Sequence, residues 1–594
     1  MFSQKDFQGC IDLWESALGK LPKDIVTDMA ASYAGGAYQR KGNRDKAIDL
    51  FTRSEDIGSL INLKAWDARE TKSDYKDSRV KELEYIFNRF PNSPLLSIKL
   101  QEYVHNRETF ICYYEDWEAP RSNLTIGADS ELRRKTLRDE EDRAFYEELK
   151  RFAKKTASSA KCKQKGMWHY GVAYLYYLEG NFSEAKTHLS KARHSQNTPY
   201  LDDSLEALRI LLDAVYADNG KKYRAKLLSD LKWLDGKMTE NAGQVVAMDW
   251  QYDNKMNRSF FYWQDVVRKI LLGEVAPRMA KAGNPVLALQ LANYATNRVY
   301  QILPRFRAYH YNKEDWSAED SYYKVITFDE YRKDWEGNNY FDYCSEFFDA
   351  IEGVGSKVAA EYVERIANPQ NELDRFLNQR SYTDPDYLGD IVATHYLREM
   401  DYDKAVEWLG KVSPDYQLRT NIAKDGFFRL DPFKFQFDGK QYIADSSTYK
   451  LKFAREMARL EKVIASEKDP NRKAEAKIRF ATGLRNSFGK CWYLTQYGFN
   501  SPWVDEPEYE IGGLYFSNER SSFRGNPYAQ KAYARVDAMM KQAVSEFTDP
   551  ERGAKALLAM KNYKTLMARY PGSKDAATVK SRCDRYNDYA LEKR

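Results

Sequence analysis

The stretch VTDMAASYAGGAYQRKGNRDKAIDLFTRS, residues 26–54, is the clearest guide to the architecture. It holds two helical patterns separated by a short turn. Gly35 precedes Tyr38 by three residues, one helical step along the same face. Gly42 stands at the break, where a helix-ending residue adopts positive φ. Ala47, Phe51 and Ser54 then recur at helical spacing. Small residues let two helices approach closely, and the aromatic rings fill the space left between them.

The same register recurs downstream. WHYGVAYLYYLEGNFSEAKTHLSKA carries Ala173, Tyr176, Gly180, Ala185, Leu189 and Ala192. LLGEVAPRMAKAGNPVLALQLANYA carries Ala276, Met279, Gly283, Ala288, Ala292 and Ala295, with Pro277 expected to kink its first helix. GDIVATHYLREMDYDKAVEWLGKV carries Ala393, Tyr396, Ala405, Leu409 and Val412, with Met400 where the others have a turn glycine. ELEYIFNRFPNSP and YKTLMARYPGSKDA read as second helices ended by Pro91 and Pro571.

In these residues the chain resembles the tetratricopeptide (TPR) family, whose unit of about 34 residues is a helix, a tight turn and a second helix. It is similar in particular to large bacterial TPR-like proteins. The resemblance implies an all-α solenoid of helix-turn-helix units, here interrupted by aromatic-rich loop insertions. It also implies a concave groove lined by the first helix of each unit. On that basis the candidate groove residues are Gln39 and Arg40, then Tyr170, Tyr174 and Tyr177, then Asp390, Leu397 and Arg398. The three tyrosines stand four and three apart and so share one helix face. Such a stripe either cradles a peptide or sugar or packs against a neighbouring helix.

The units are not contiguous. Residues 1–115 read as N-terminal repeats, and 116–304 as repeats with a charged helix inserted. Residues 305–380 are an aromatic-rich irregular and helical insertion, and 381–497 return to helical repeats. Residues 498–528 form an aromatic loop, and 529–594 a C-terminal helical hairpin. The charged helix, ELRRKTLRDEEDRAFYEELKRFAKK, mixes signs in the way of a solvated face. A small hairpin is expected around Asp438-Gly439. At the start, KDFQGCIDLWESALGKLP resembles a second helix lacking its first. Beginning in mid-repeat would expose Leu13 and Trp14, so a longer reading frame is expected, with any export signal or lipid-attachment cysteine upstream.

Composition narrows the function. The net charge of +5 comes from 93 basic and 88 acidic residues, which gives no one-sign field for nucleic acid. No apolar run spans a bilayer. The six cysteines are scattered without a CxxC pair, and the six histidines form no ligand-spaced cluster, so no metal or cofactor is expected. Residues 353–357, GVGSK, lack the first glycine of a phosphate loop and follow a helical pattern, so they read as a helix-to-helix turn. Asp505, Glu506, Glu508 and Glu510 sit in the aromatic loop as solvated acids rather than a glycosidase pair. The function expected is therefore non-enzymatic: a scaffold holding a protein or peptide partner in the groove. The alternative is a cell-envelope protein that binds a glycan or nutrient, which the 44 tyrosines favour because such rings line sugar- and peptide-recognition surfaces. An envelope compartment follows only from that resemblance and the incomplete start.

Overall fold

The computed structural model describes residues 1–67, 72–112, 142–242, 246–247, 258–302, 306–310, 322–326, 347, 350–351, 353–414, 431–434, 449–489, 527–560 and 562–581. These residues are almost wholly helical, and each helix packs mainly on its neighbours in sequence. The described residues divide into two compact units, one ending at Asp213 and the other beginning at Ala214.

In the first unit the helices are α1 (Phe7–Ser16), α2 (Ile25–Arg40), α3 (Arg44–Arg53), α4 (Ile57–Asn62), α5 (Ser78–Arg89), α6 (Pro94–Cys112), α7 (Arg143–Ser158), α8 (Lys165–Leu178), α9 (Phe182–Arg193) and α10 (Pro199–Ala214). The α2–α3 pair shows how the register works. Ala31, Ala34, Ala37 and Ala47 are buried, and Phe51 lies against Gly35. A Cβ on Gly35 would stand 2.9 Å from the Phe51 ring, so the glycine sets the distance between the helices. Burying a ring of this kind is worth roughly 1.5–3 kcal/mol.

One turn recurs between helices among the described residues. Gly42, Gly180, Gly283 and Met400 all have positive φ, at 80°, 78°, 80° and 62°. After each, the next N–H donates to the carbonyl five residues back: Asn43 to Tyr38, Asn181 to Tyr176, Asn284 to Met279 and Asp401 to Tyr396. The same Asn or Asp side chain then accepts from the backbone N–H three residues on, capping the second helix. Glu55–Asp56, before α4, repeats the device. The glycines are legible in the sequence pattern, but the caps that follow them complete the signal.

Pro91 and Pro571 also end helices in one way. Phe90 and Tyr570 close the preceding helix, and Ser93 and Ser573 donate back to them and accept from the next helix's backbone. One expectation needs correction. Trp14 is buried beneath Arg53 and against Gly19, although Leu13 beside it is exposed. Residues 131–141 of the charged stretch lie outside the described residues; from Arg143 on, α7 buries Phe145, Tyr146, Leu149, Phe152 and Ala153 on one face and pairs Glu148 with Arg151 on another.

The second unit contains α11 (Lys221–Asn241), α12 (Arg258–Ile270), α13 (Ala276–Lys281), α14 (Pro285–Ile302), α15 (Ser356–Ala367), α16 (Glu372–Asn378), α17 (Pro385–Arg398), α18 (Tyr402–Leu409) and α19 (Tyr449–Ser466). It continues through α20 (Pro470–Gly489), α21 (Pro527–Glu546), α22 (Pro550–Ala559), α23 (Tyr563–Arg569) and α24 (Lys574–Ser581). Between α12 and α13 the helix widens into a π turn, Leu271–Val275, just before Pro277. The Ala276 N–H reaches back five residues to Leu271, so the disruption expected at Pro277 takes the form of a π bulge. Gly355 ends a turn and caps α15, as a helix-to-helix connection requires.

The stretch expected to be irregular after residue 305 contains strands. β2 (Phe306–His310) pairs antiparallel with β3 (Tyr322–Ile326), and β1 (Val246–Ala247) adds parallel to β2. Aromatic and β-branched residues concentrate there, which favours an extended pleat. The hairpin expected at Asp438-Gly439 and the aromatic loop with Asp505, Glu506, Glu508 and Glu510 lie outside the described residues.

Candidate interaction surface

The eight candidate groove residues divide by burial. Gln39 and Arg40 end α2 on the exposed side. Tyr170 is half-buried, and Tyr174 and Tyr177 are buried. Asp390, Leu397 and Arg398, expected to face outward, are buried in α17.

The tyrosine spacing does bring the rings together. Tyr170 and Tyr174 have centroids 6.1 Å apart, Tyr174 and Tyr177 5.7 Å, and Tyr177 continues to Phe182 at 6.2 Å. The Tyr174 hydroxyl donates to the Glu108 carboxylate. Burial, reinforced by that negative charge, pushes the Tyr174 phenol far above its usual range. Helical periodicity put these rings on one face, and that face is mostly interior.

Asp390 serves the core of its unit. Its carboxylate accepts from Lys450 Nζ at 2.9 Å, and the same ammonium donates to Thr394 Oγ1 at 2.5 Å. The Asp390 and Lys450 side chains are wholly buried, so each charge depends on the other. A second polar knot ties α14 to α11 and to Arg380. Asp235 accepts from Tyr294 at 3.0 Å, from Arg298 at 2.7 and 3.1 Å, and from Arg380 at 3.1 Å. Burial pushes the Asp235 carboxyl up; Arg298, Tyr294 and Arg380 overcome it and hold the group below its usual range. Asn293 on α14 bonds the Tyr362 hydroxyl and both backbone groups of Tyr382. These networks satisfy buried polar groups and fix helix registers.

A third cluster joins α8 to α9. His169 and His188 face each other Nδ1 to Nδ1 at 3.2 Å, and Tyr176 packs on the His188 ring. Burial, then His169, Lys191 and Lys154, push the His188 imidazole down to about 4. His169 is lowered by burial and by Lys191 and Lys165. One proton suits the facing nitrogens, and a second would set like charges together among lysines. Among the described residues no group of three or more His, Cys, Asp or Glu side chains is arranged to hold a metal ion.

The open surface is on α2. Ile25, Val26, Met29 and Tyr33 are 77%, 66%, 57% and 55% exposed, the densest run of large exposed apolar residues among those described. Their spacing places them along one side of the helix, which Arg40 extends at its C-terminal end. Phe2 packs on Tyr33 with centroids 5.6 Å apart and lies over Gly36. Asp24 caps the N-terminal end, accepting from Thr27. This stripe lies opposite the seam that faces α3. It was readable as an apolar row at helical spacing, although the repeat pattern draws attention to the other face.

No protein-family model, curated protein or solved structure matches this chain. Among the described residues no helix is long and apolar enough to cross a membrane.

Proposed function

We propose that the chain is a tetratricopeptide-type scaffold that acts by holding a protein partner on an exposed helix face, without catalysis. The recurrent small-residue seam and the shared left-handed turn with its Asn or Asp cap support the repeat reading. The observation that carries the binding reading is the uncovered apolar stripe of α2, running from Ile25 to Tyr33 and on to Gln39 and Arg40. Apolar side chains left open together on one helix are a typical docking feature, because covering them releases the water they order. Tyr170, half-buried beside Tyr174, is a secondary contact candidate. Tyr174, Tyr177, Asp390, Leu397 and Arg398 support the scaffold from inside.

The test uses the whole chain beside a Met29→Glu/Arg40→Glu variant of unchanged helicity. Proteins retained by the parent are identified, purified and titrated against both. A partner bound at least about tenfold more weakly by the variant, a difference of about 1.4 kcal/mol, supports the proposal. Equal binding of every identified partner by both chains refutes it. Selective retention of a glycan by both, with no protein retained, would move the glycan-binding reading ahead.

A further inference from the structure

We propose that Asn219 is a self-modification site, converted to aspartate through a cyclic imide with Gly220 that the surrounding turn promotes. The inference stands apart from the scaffold reading.

Asn219–Gly220 is the one Asn-Gly pair in the sequence and lies in the turn between α10 and α11. In such a pair the glycine nitrogen and the asparagine side-chain carbon can close a five-membered ring, because the chain already tethers them. Two groups outside the pair hold its reacting atoms. The Gly220 N–H donates to Asp218 Oδ1 at 2.7 Å. Asn219 Oδ1 accepts from Asn284 Nδ2 at 2.9 Å. Asp218 is thus placed to take the proton that the nitrogen must lose. Asn284 is placed to steady the negative charge that develops on the side-chain oxygen.

The backbone does not demand glycine at 220, where φ is −70°. The neighbour does: a Cβ there would stand 2.7 Å from Asp218 Oδ1 and push the carboxylate off the N–H. Asn284 is held in turn, because its Oδ1 accepts from the Leu287 N–H at 3.2 Å and caps α14. Asp218, Asn219 and Gly220 are all exposed, so water reaches the ring.

The Gly220 nitrogen bonds to Asn219 Cγ as Asp218 takes its proton. The tetrahedral centre then expels the side-chain nitrogen, which leaves as ammonia with that proton. Water opens the imide at either carbonyl, giving aspartate or isoaspartate. An amide and a water become a carboxylate and an ammonium ion, and nothing is oxidised. The new carboxylate stands just ahead of α11, whose first turn holds no acid and whose cap, Gly220, has no side chain. The positive end of the helix favours that charge. Asn284 donates to a carboxylate more strongly than to an amide.

The experiment is peptide mapping by mass spectrometry of the full chain, incubated at neutral pH both folded and in guanidinium chloride. The peptide holding Asn219 should gain the mass difference between an amide and a carboxyl. Conversion should run at least about threefold faster in the folded chain, where Asp218 and Asn284 are held in place. Asp218→Ala, of unchanged helicity, should slow the folded chain at least about tenfold. Asn284→Asp keeps the α14 cap but lacks the donor, and should slow it at least about threefold. No conversion overturns the inference. So does conversion as fast unfolded as folded, since the sequence pair would then act without the turn. A folded Asp218→Ala or Asn284→Asp chain that converts at the parent's rate also overturns it. The comparison of folded with unfolded parent needs no variant and stands even where a variant fails to fold.

Discussion

At the residue scale the left-handed turn position separates glycine from every other side chain. An L-residue there pays roughly 1–2 kcal/mol that glycine avoids. Met400 occupies the position at φ 62° in the same hydrogen-bonded frame that Gly42, Gly180 and Gly283 occupy elsewhere. Met400→Gly should therefore be more stable than Met400→Ala by about 1 kcal/mol, and Gly180→Ala less stable than the parent by a similar amount, read from urea midpoints. Equal midpoints for the two Met400 variants would show that the turn does not constrain this residue. The departure from the glycine pattern was legible in the sequence. That the backbone keeps the same conformation there was not, because the flanking helices impose the turn and Met400 submits to it.

At the scale of elements, the α8–α9 pair carries a pH response. The unfolded histidines titrate near 6.5, while His188 in the folded chain titrates at about 4 and His169 is also lowered. Between those values the unfolded chain binds more protons, so stability falls as pH drops. The contribution is fully present above pH 6.5, is lost progressively towards about 4, and changes no further below that for His188. Melting temperature should decline through this window, and His188→Gln should flatten the decline. An unchanged slope in the variant would mean that the facing rings do not couple. The tyrosine column of α8 makes a related point. Tyr170, Tyr174 and Tyr177 were correctly grouped by helical spacing, which fixes who shares a face. What covers that face depends on α6, whose Glu108 comes from a remote part of the sequence. Removing Tyr174 therefore tests the core and says nothing about binding.

At the scale of the whole molecule, each compact unit holds its own core, and its helices pack mainly on their neighbours in sequence. A chain of nearest-neighbour contacts loses stability locally. Ala185 is fully buried in the first unit, and Ala185→Trp should overpack its seam, costing about 1–3 kcal/mol. In the second unit, Lys450→Met leaves the Asp390 carboxylate buried without its ammonium and should cost about 3–5 kcal/mol. Lys450→Met/Asp390→Leu should recover most of that loss. Calorimetry of the variants should show each change lowering the transition of its own unit. A double variant no more stable than Lys450→Met would mean that the pair does more than neutralise itself.

Residue order alone specified the helical class, the α2–α3 seam and the turn glycines, because spacing along a helix is a local property and glycine's conformational freedom is intrinsic. It also marked Pro91 and Pro571 as stops, since proline cannot continue a helix. Which faces are covered was set by the packing of segments remote in the chain. Gln39 and Arg40 remain outside, Asp390 and Arg398 are enclosed, and the strands at Phe306–His310 and Tyr322–Ile326 form because a partner strand supplies their hydrogen bonds. Burial and strand pairing depend on residues far apart in the chain, and a periodicity read within one element carries no record of them.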